Sequence, residues 1–138
     1  MFTGIVQEVG KIKNIMRTDQ DMRFVIESKK IVASLEEGSS VAVAGVCSTV
    51  VHKGDDFFVV NYIPETLKVT TVKDWKIGDR INLEPSLRIG EEISGHFVYG
   101  HVDSVASVVE KRQKGDDVKV TFKIPKSLAK YFVDKGSV

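Results

Sequence analysis

Residues 48–63, STVVHKGDDFFVVNYI, decide the fold class of this chain. Two runs rich in Val, Phe and Tyr flank KGDD at 53–56, and apolar runs on either side of a Gly-Asp turn are typical of a β-hairpin. Similar short runs recur along the sequence: MFTGIVQEVGKI, MRFVIE, SVAVAGV and RINLE. Short strands with turns about every 8–12 residues indicate an all-β barrel or sandwich. Helices are expected only at 29–35, at PETLKV from Pro64, and after Pro125.

The composition is that of an ordinary globular protein. The chain has 138 residues, of which 42% are hydrophobic and 28% charged, which is too apolar for intrinsic disorder. The net charge of +1 gives no electrostatic reason to expect a nucleic-acid or membrane partner. The single cysteine, Cys47, permits no internal disulfide and, with only three histidines, indicates no zinc site. Since we find no signal peptide and no membrane span either, we expect a cytoplasmic protein.

The chain contains an internal repeat. GIVQEV at 4–9 is similar to GHVDSV at 100–105, FVI at 24–26 to FKI at 122–124, and 28–41 to 125–138. The three pairs keep the same order and are separated by 96 to 98 residues. We therefore expect a first barrel at 1–90, a connector at 91–95 and the start of a second barrel at 96–138. The second copy lacks the equivalents of 42–90, so we also expect this sequence to be part of a longer protein.

Several stretches together resemble riboflavin synthase. They are MFTGIVQEVG at the start, GVCSTV at 45–50, PETL at 64–67, KIGDRINLE at 76–84 and GHFVYGHVD at 95–103. The resemblance covers essentially the whole chain and implies two six-stranded Greek-key barrels in tandem, followed by a helix that forms a homotrimer. The sequence departs from the family at Ser48, usually leucine, and at Tyr99, often a small residue. Ser48 either faces away from a ligand or adds a hydroxyl to its site.

The resemblance also implies a reaction. A riboflavin synthase is a transferase that performs the last step of riboflavin biosynthesis. Two molecules of 6,7-dimethyl-8-ribityllumazine exchange a four-carbon unit, giving riboflavin and 5-amino-6-(ribitylamino)uracil, with no cofactor and no metal. The protein mainly holds the two substrates face to face and manages protons. In the family the site lies between barrels of two subunits, so we expect this chain to bind lumazine and to turn over poorly. An association with lumazine synthase is a further expected partnership.

The candidate site residues are those that match the family's ligand-contacting motifs. Glycine lets the backbone approach a flat ring, whose carbonyl and amide edges suit main-chain hydrogen bonds. His101 is the candidate for proton transfer, since histidine titrates near neutral pH. The candidate substrate-binding residues are Gly4, Ile5, Val6, Ser40, Cys47, Ser48, Thr49, Asn61, Tyr62, Ile63, Pro64, Glu65, Thr66, Gly100, His101, Val102 and Lys135.

Some of these positions also have a purely structural interpretation. Glu65 has the place of a first-turn carboxylate favoured by the helix dipole, and Lys135 that of a solvated charge. Cys47 is expected to bind and not to act as a nucleophile. Phe2 either covers the site or packs. Outside the set, we expect His96 to be structural or to support the residues that contact the ligand, His52 to lie on the surface and Trp75 to pack between barrel strands.

Two other functions compete with the enzyme. The first is a non-catalytic relative of the same family that holds a lumazine or flavin as an optical antenna. The intact PETL and GHVD stretches favour the enzyme, because the antenna relatives are altered there. The second is a small-barrel nucleic-acid binder of the OB class. This interpretation is the weaker one, because the net charge is low and the sequence has no run of aromatic residues between basic ones.

Overall fold

A closed six-stranded antiparallel barrel forms the first part of the chain. The computed structural model describes residues 1–137 and divides into two units, Met1–Val102 and a second from Asp103 onward. The barrel strands are β1 (Glu8–Arg17), β2 (Met22–Glu27), β3 (Ser40–Val43), β4 (Val46–Lys53), β5 (Phe57–Tyr62) and β6 (Arg80–Pro85). Their order is β1-β2-β5-β4-β3-β6, with β6 paired back to β1. Because β6 returns beside β3 of the β3–β4–β5 run, this is a Greek key. The all-β barrel expectation is confirmed.

The barrel interior is filled by side chains that alternate along each strand. In β2 the inward positions Met22, Phe24 and Ile26 are buried, and the residues between them are less so. Phe24 meets the rings of Tyr62 and Trp75 edge to face, with centroids 5.6 and 5.4 Å away. The prediction that Trp75 packs against the barrel is therefore confirmed.

The turns form where the sequence predicts them, whereas one predicted helix does not form. KGDD at 53–56 joins β4 to β5, and α1 (Pro64–Val69) begins at its proline as expected. Residues 29–35 were expected to be helical, but they contain only a 3-10 turn at Val32–Ser34. The Glu8 carboxylate accepts hydrogen bonds from the N–H groups of Lys29, Lys30 and Ile31 at 2.7, 3.1 and 2.9 Å. This one carboxylate holds the three amides together as a turn.

The second unit is a hairpin followed by a short helix. Its strands β7 (Ser107–Lys114) and β8 (Asp117–Lys123) pair antiparallel around the second KGDD, at 114–117. The stretch after Pro125 forms a 3-10 helix at Lys126–Tyr131. The domain limits at residues 90 and 95 stay predictions. No helix within residues 1–137 is both long and apolar enough to cross a bilayer.

Candidate functional site

Two predicted site segments lie side by side on the barrel. We call residues 2–6 the N-terminal segment and residues 95–102 the strap. The Phe2 N–H donates to the Val98 carbonyl at 2.7 Å, and the Val98 N–H donates back at 3.0 Å. The His96 N–H donates to the Thr3 carbonyl at 3.1 Å. Phe2 is fully buried, so its side chain packs beneath the surface.

The strap then reaches the start of β4. The Cys47 N–H donates to the Gly100 carbonyl at 2.9 Å. Gly100 has a φ of +71°, and a Cβ there would lie 2.8 Å from the Cys47 nitrogen. Only glycine fits this left-handed, tightly packed position without a shift. Val102, at the end of the strap, packs against the hydrophobic core. The structure thus brings the motifs around Gly4, Cys47 and Gly100 together.

The main chain between Gly4 and Val6 is open. Gly4 turns the chain with a φ of +81°, and barrel pairing resumes where the Gln7 N–H donates to the Leu83 carbonyl at 2.9 Å. Within residues 1–137, the N–H groups of Ile5 and Val6 and the carbonyls of Gly4, Ile5 and Val6 make no hydrogen bond. The Ile5 and Val6 side chains are about half exposed. Backbone donors and acceptors therefore stand next to exposed apolar surface.

Glu84, at the end of β6, holds this segment in place. One carboxylate oxygen accepts hydrogen bonds from the Thr3 N–H at 2.6 Å and the Thr3 hydroxyl at 2.9 Å. The other oxygen accepts from the Gly4 N–H at 3.2 Å. Glu84 is only 7% exposed. Sequence reasoning missed it, although a carboxylate ending the β-strand motif KIGDRINLE was the available signal.

Neighbouring positions of β3 and β4 divide between the surface and the interior. Ser40 is paired with Thr49, which is exposed. Ser48 points inward, where its hydroxyl lies 2.7 Å from the Tyr62 hydroxyl and donates to the Val46 carbonyl at 3.0 Å. Burial raises the pKa of Tyr62, and the hydrogen bond with Ser48 opposes this only in part. The departure from leucine at Ser48 thus creates a polar pair inside the barrel.

The stretch 61–66 leads from the barrel into α1. Asn61 faces outward and accepts a hydrogen bond from the Arg23 side chain at 2.9 Å. Ile63, Pro64 and Glu65 are exposed, and Thr66 is partly buried. The Glu65 carboxylate lies 4.0 Å from the Lys68 ammonium, one helical turn along. None of the hydrogen bonds within residues 1–137 ties residues 63–66 to the strap or to the N-terminal segment.

The histidines occupy three different settings. His101 is exposed, and its ring centroid lies 6.2 Å from that of Tyr99. His96 is also exposed, and its ring lies beside Gly4. His52 is on the surface, as predicted, with its Nδ1 2.8 Å from a Glu37 carboxylate oxygen.

The last predicted site residue, Lys135, belongs to the second unit and has a φ of +62°. In the described part of the chain, no group of three or more His, Cys, Asp or Glu side chains is arranged to hold a metal ion.

Sequence comparison finds similar proteins over the whole chain. The profile of the family described as "Lumazine binding domain" matches residues 3–86. A riboflavin synthase of Brucella abortus is 41% identical, one of Schizosaccharomyces pombe 39% and one of Bacillus subtilis 37%. Each alignment includes 100% of this chain, which spans 71%, 67% and 64% of those relatives, respectively.

Structural comparison finds the same architecture in solved proteins. A crystal structure of LumP complexed with riboflavin superimposes with a TM-score of 0.84 at 33% identity, covering 94% of this chain and 71% of that one. A crystal structure of LumP complexed with 6,7-dimethyl-8-(1'-D-ribityl) lumazine gives a TM-score of 0.81 at 34% identity, covering 91% and 70%.

Proposed function

Because the chain belongs to the lumazine-binding domain family of the riboflavin synthases, we propose that it binds 6,7-dimethyl-8-ribityllumazine on the N-terminal segment, the strap and the start of β4. We further propose that it acts as the N-terminal part of a riboflavin synthase. The proposal includes a transferase with two barrels in tandem, active as a cytoplasmic homotrimer and able to associate with lumazine synthase.

The open main chain at Gly4–Val6 is the observation that carries this proposal. A lumazine has a pyrimidinedione edge, where carbonyl oxygens alternate with a ring N–H. Such an edge needs both donors and acceptors, which the unpaired N–H and carbonyl groups of this segment supply. The half-exposed side chains of Ile5 and Val6 offer apolar surface to the flat ring.

Hydroxyl and carboxylate groups on β3, β4 and α1 suit the ribityl chain. Thr49 is exposed and paired with Ser40 across β3 and β4, so two hydroxyl-bearing residues stand next to Cys47. Glu65 and Thr66 add a carboxylate and a hydroxyl at the start of α1. We assign these four residues to the polyol. In contrast, Ser48 and Tyr62 are paired inside the barrel, where they support the site from beneath.

The reaction needs two lumazines held face to face. The 7-methyl group of a lumazine is acidic because the ring delocalises the anion, so a base near that carbon starts the transfer of the four-carbon unit. We assign this proton transfer to His101, which is exposed at the end of the strap and carries an imidazole, the side chain most often used as a general acid or base. The barrel contributes mainly proximity, which converts an encounter of two substrates into a reaction within one complex.

A binding protein without turnover is the second candidate. The observation that favours it is the similarity to LumP, whose crystal structures hold riboflavin and a ribityllumazine. The two candidates share the ligand and differ in the chemistry that follows. Conversion of the lumazine therefore separates them.

The test mixes the 138-residue chain with 6,7-dimethyl-8-ribityllumazine and follows lumazine fluorescence and riboflavin absorbance together. Saturable binding with riboflavin formation, however slow, supports the enzyme. Saturable binding with persistent lumazine fluorescence and no riboflavin selects the antenna type. His101→Gln should slow riboflavin formation by more than it weakens binding, whereas His52→Gln, a change to an exposed histidine bonded to Glu37, should alter neither. Absence of saturable binding contradicts both candidates.

A further inference from the structure

We propose that Glu84 is a positioning residue for ligand binding: its buried carboxylate fixes the turn at Gly4 and so aims the free N–H and carbonyl groups of residues 4–6 at the ring. The inference rests on the proposed lumazine binding and adds a residue that does not touch the ligand.

In the described part of the chain, residues 1–137, every hydrogen bond that the Glu84 side chain accepts comes from the N-terminal segment. Two are main-chain N–H groups, from Thr3 and Gly4, and one is the Thr3 hydroxyl. Among residues 1–137 no Lys, Arg or His forms an ion pair with this carboxylate. A buried charge is costly unless it is hydrogen-bonded, so the segment and the carboxylate stabilise each other's positions.

The strap fixes the opposite side of the same residues. The Thr3 carbonyl accepts from the His96 N–H at 3.1 Å, and a Cβ on Gly95 would collide with that carbonyl oxygen. Thr3 is thus held through its N–H by Glu84 and through its carbonyl by the strap. Gly4 follows with a φ of +81°, and barrel pairing resumes at Gln7, whose N–H donates to the Leu83 carbonyl.

This double restraint leaves residues 4–6 with little freedom. A segment whose backbone groups are already oriented loses less conformational entropy when a ligand binds, which improves affinity without a new contact. Loosening one restraint should therefore weaken binding and change the hydrogen bonds that the bound ring receives. The barrel strands should keep their pairing, because the Glu84 side chain bonds to none of the other strands.

Glu84→Gln tests the carboxylate at nearly constant volume. A glutamine amide has only one oxygen. If that oxygen keeps the hydrogen bonds from Thr3, the amide NH₂ group faces the Gly4 N–H, and two donors then meet with no acceptor between them. We expect lumazine to bind about tenfold more weakly, the size of one lost hydrogen bond to a charged group. Amide exchange at Gly4 should accelerate while exchange in β2 and β5 stays unchanged.

The absorption spectrum of the saturated complex separates positioning from a general loss of structure. At saturation the bound lumazine in Glu84→Gln should shift toward the spectrum of free lumazine, because its ring receives fewer aligned main-chain hydrogen bonds. A variant that only folds less well gives less complex with the wild-type spectrum. Glu27→Gln is the matched control, since its carboxylate lies in the same barrel and faces Lys13.

Thr3→Val is a second variant that keeps the carboxylate and removes only the hydroxyl donor. Because the Thr3 N–H still donates to the same Glu84 oxygen, we expect a smaller loss than in Glu84→Gln, about threefold in affinity. Weaker binding with the shifted spectrum, in Glu84→Gln or in Thr3→Val, supports the inference. If the wild type binds and both variants give its spectrum at saturation, whatever their affinity, the inference is wrong and the proposed function stands. If the wild type binds no lumazine, the proposed function fails, and the inference fails with it.

Discussion

Replacing Gly100 by alanine should detach the strap from β4. Gly100 has a φ of +71°, where a residue with a Cβ is disfavoured by about 1–2 kcal/mol. The new Cβ would lie 2.8 Å from the Cys47 nitrogen and 3.0 Å from both the Cys47 Cβ and the Gly45 carbonyl oxygen. Backbone on both sides must move, and the hydrogen bond from the Cys47 N–H to the Gly100 carbonyl, worth about 1 kcal/mol, is lost.

Gly38→Ala supplies a matched control for this change. Gly38 has a φ of +88°, but a Cβ added there would meet no atom of residues 1–137 within 4 Å. Both variants carry the backbone strain, and only Gly100→Ala carries the collision and the lost hydrogen bond. The difference of at least about 1 kcal/mol lowers the ratio of docked to undocked strap by at least about fivefold, and the apparent affinity falls by the same factor when the undocked form predominates in Gly100→Ala.

Fluorescence titration with 6,7-dimethyl-8-ribityllumazine measures this difference directly. Gly100→Ala should bind at least about fivefold more weakly than Gly38→Ala, and the Cys47 amide should exchange faster with solvent. Equal affinity of the two glycine variants, within about twofold, would refute the idea that the docked strap forms part of the binding surface.

Three further outcomes follow from the same contacts. Desolvation raises the pKa of the Glu8 carboxylate, but hydrogen bonds from three main-chain N–H groups and a serine hydroxyl outweigh it and leave the pKa below its ordinary value of 4.5. The free energy of unfolding should therefore fall as the pH drops below 4.5, and urea titrations of Glu8→Gln should show a weaker dependence of that free energy on pH. Ser48→Ala should lower the free energy of unfolding by about 1–3 kcal/mol, because it leaves the buried Tyr62 hydroxyl without this partner. Adding Tyr62→Phe to Ser48→Ala should lower it by less than the two single changes together, in a double-mutant cycle measured by chemical denaturation.

The local pattern of the sequence predicted most of the barrel. Strands of β-branched and aromatic residues, separated by Gly-Asp turns, specify β4 and β5 because pairing and turn geometry depend on neighbours in the chain. Trp75 and His52 were also placed correctly, one as packing and the other on the surface. These are features for which nearby residues and solvent exposure decide the outcome.

Contacts between distant residues account for what the sequence did not predict. Residues 29–35 look helical, but a carboxylate about twenty residues earlier, Glu8, takes their first amides and leaves a short 3-10 turn. Glu84 meets Thr3 across 81 positions, so no spacing rule connects them. Ser48 faces inward by the alternation of β4, but the partner of its hydroxyl, Tyr62, lies on another strand. Hydrogen bonds of this kind depend on the closed barrel and not on any local period.

Mapping of the lumazine site by amide chemical shifts tests the central claim most directly. The 138-residue chain would be labelled with nitrogen-15 and titrated with 6,7-dimethyl-8-ribityllumazine. Saturable shifts should concentrate on the amides of Ile5, Val6, Cys47 and Gly100, with those of Glu37 and His52 unchanged. Saturable shifts centred elsewhere on the barrel, or no saturation at all, would contradict a lumazine site on the N-terminal segment and the strap.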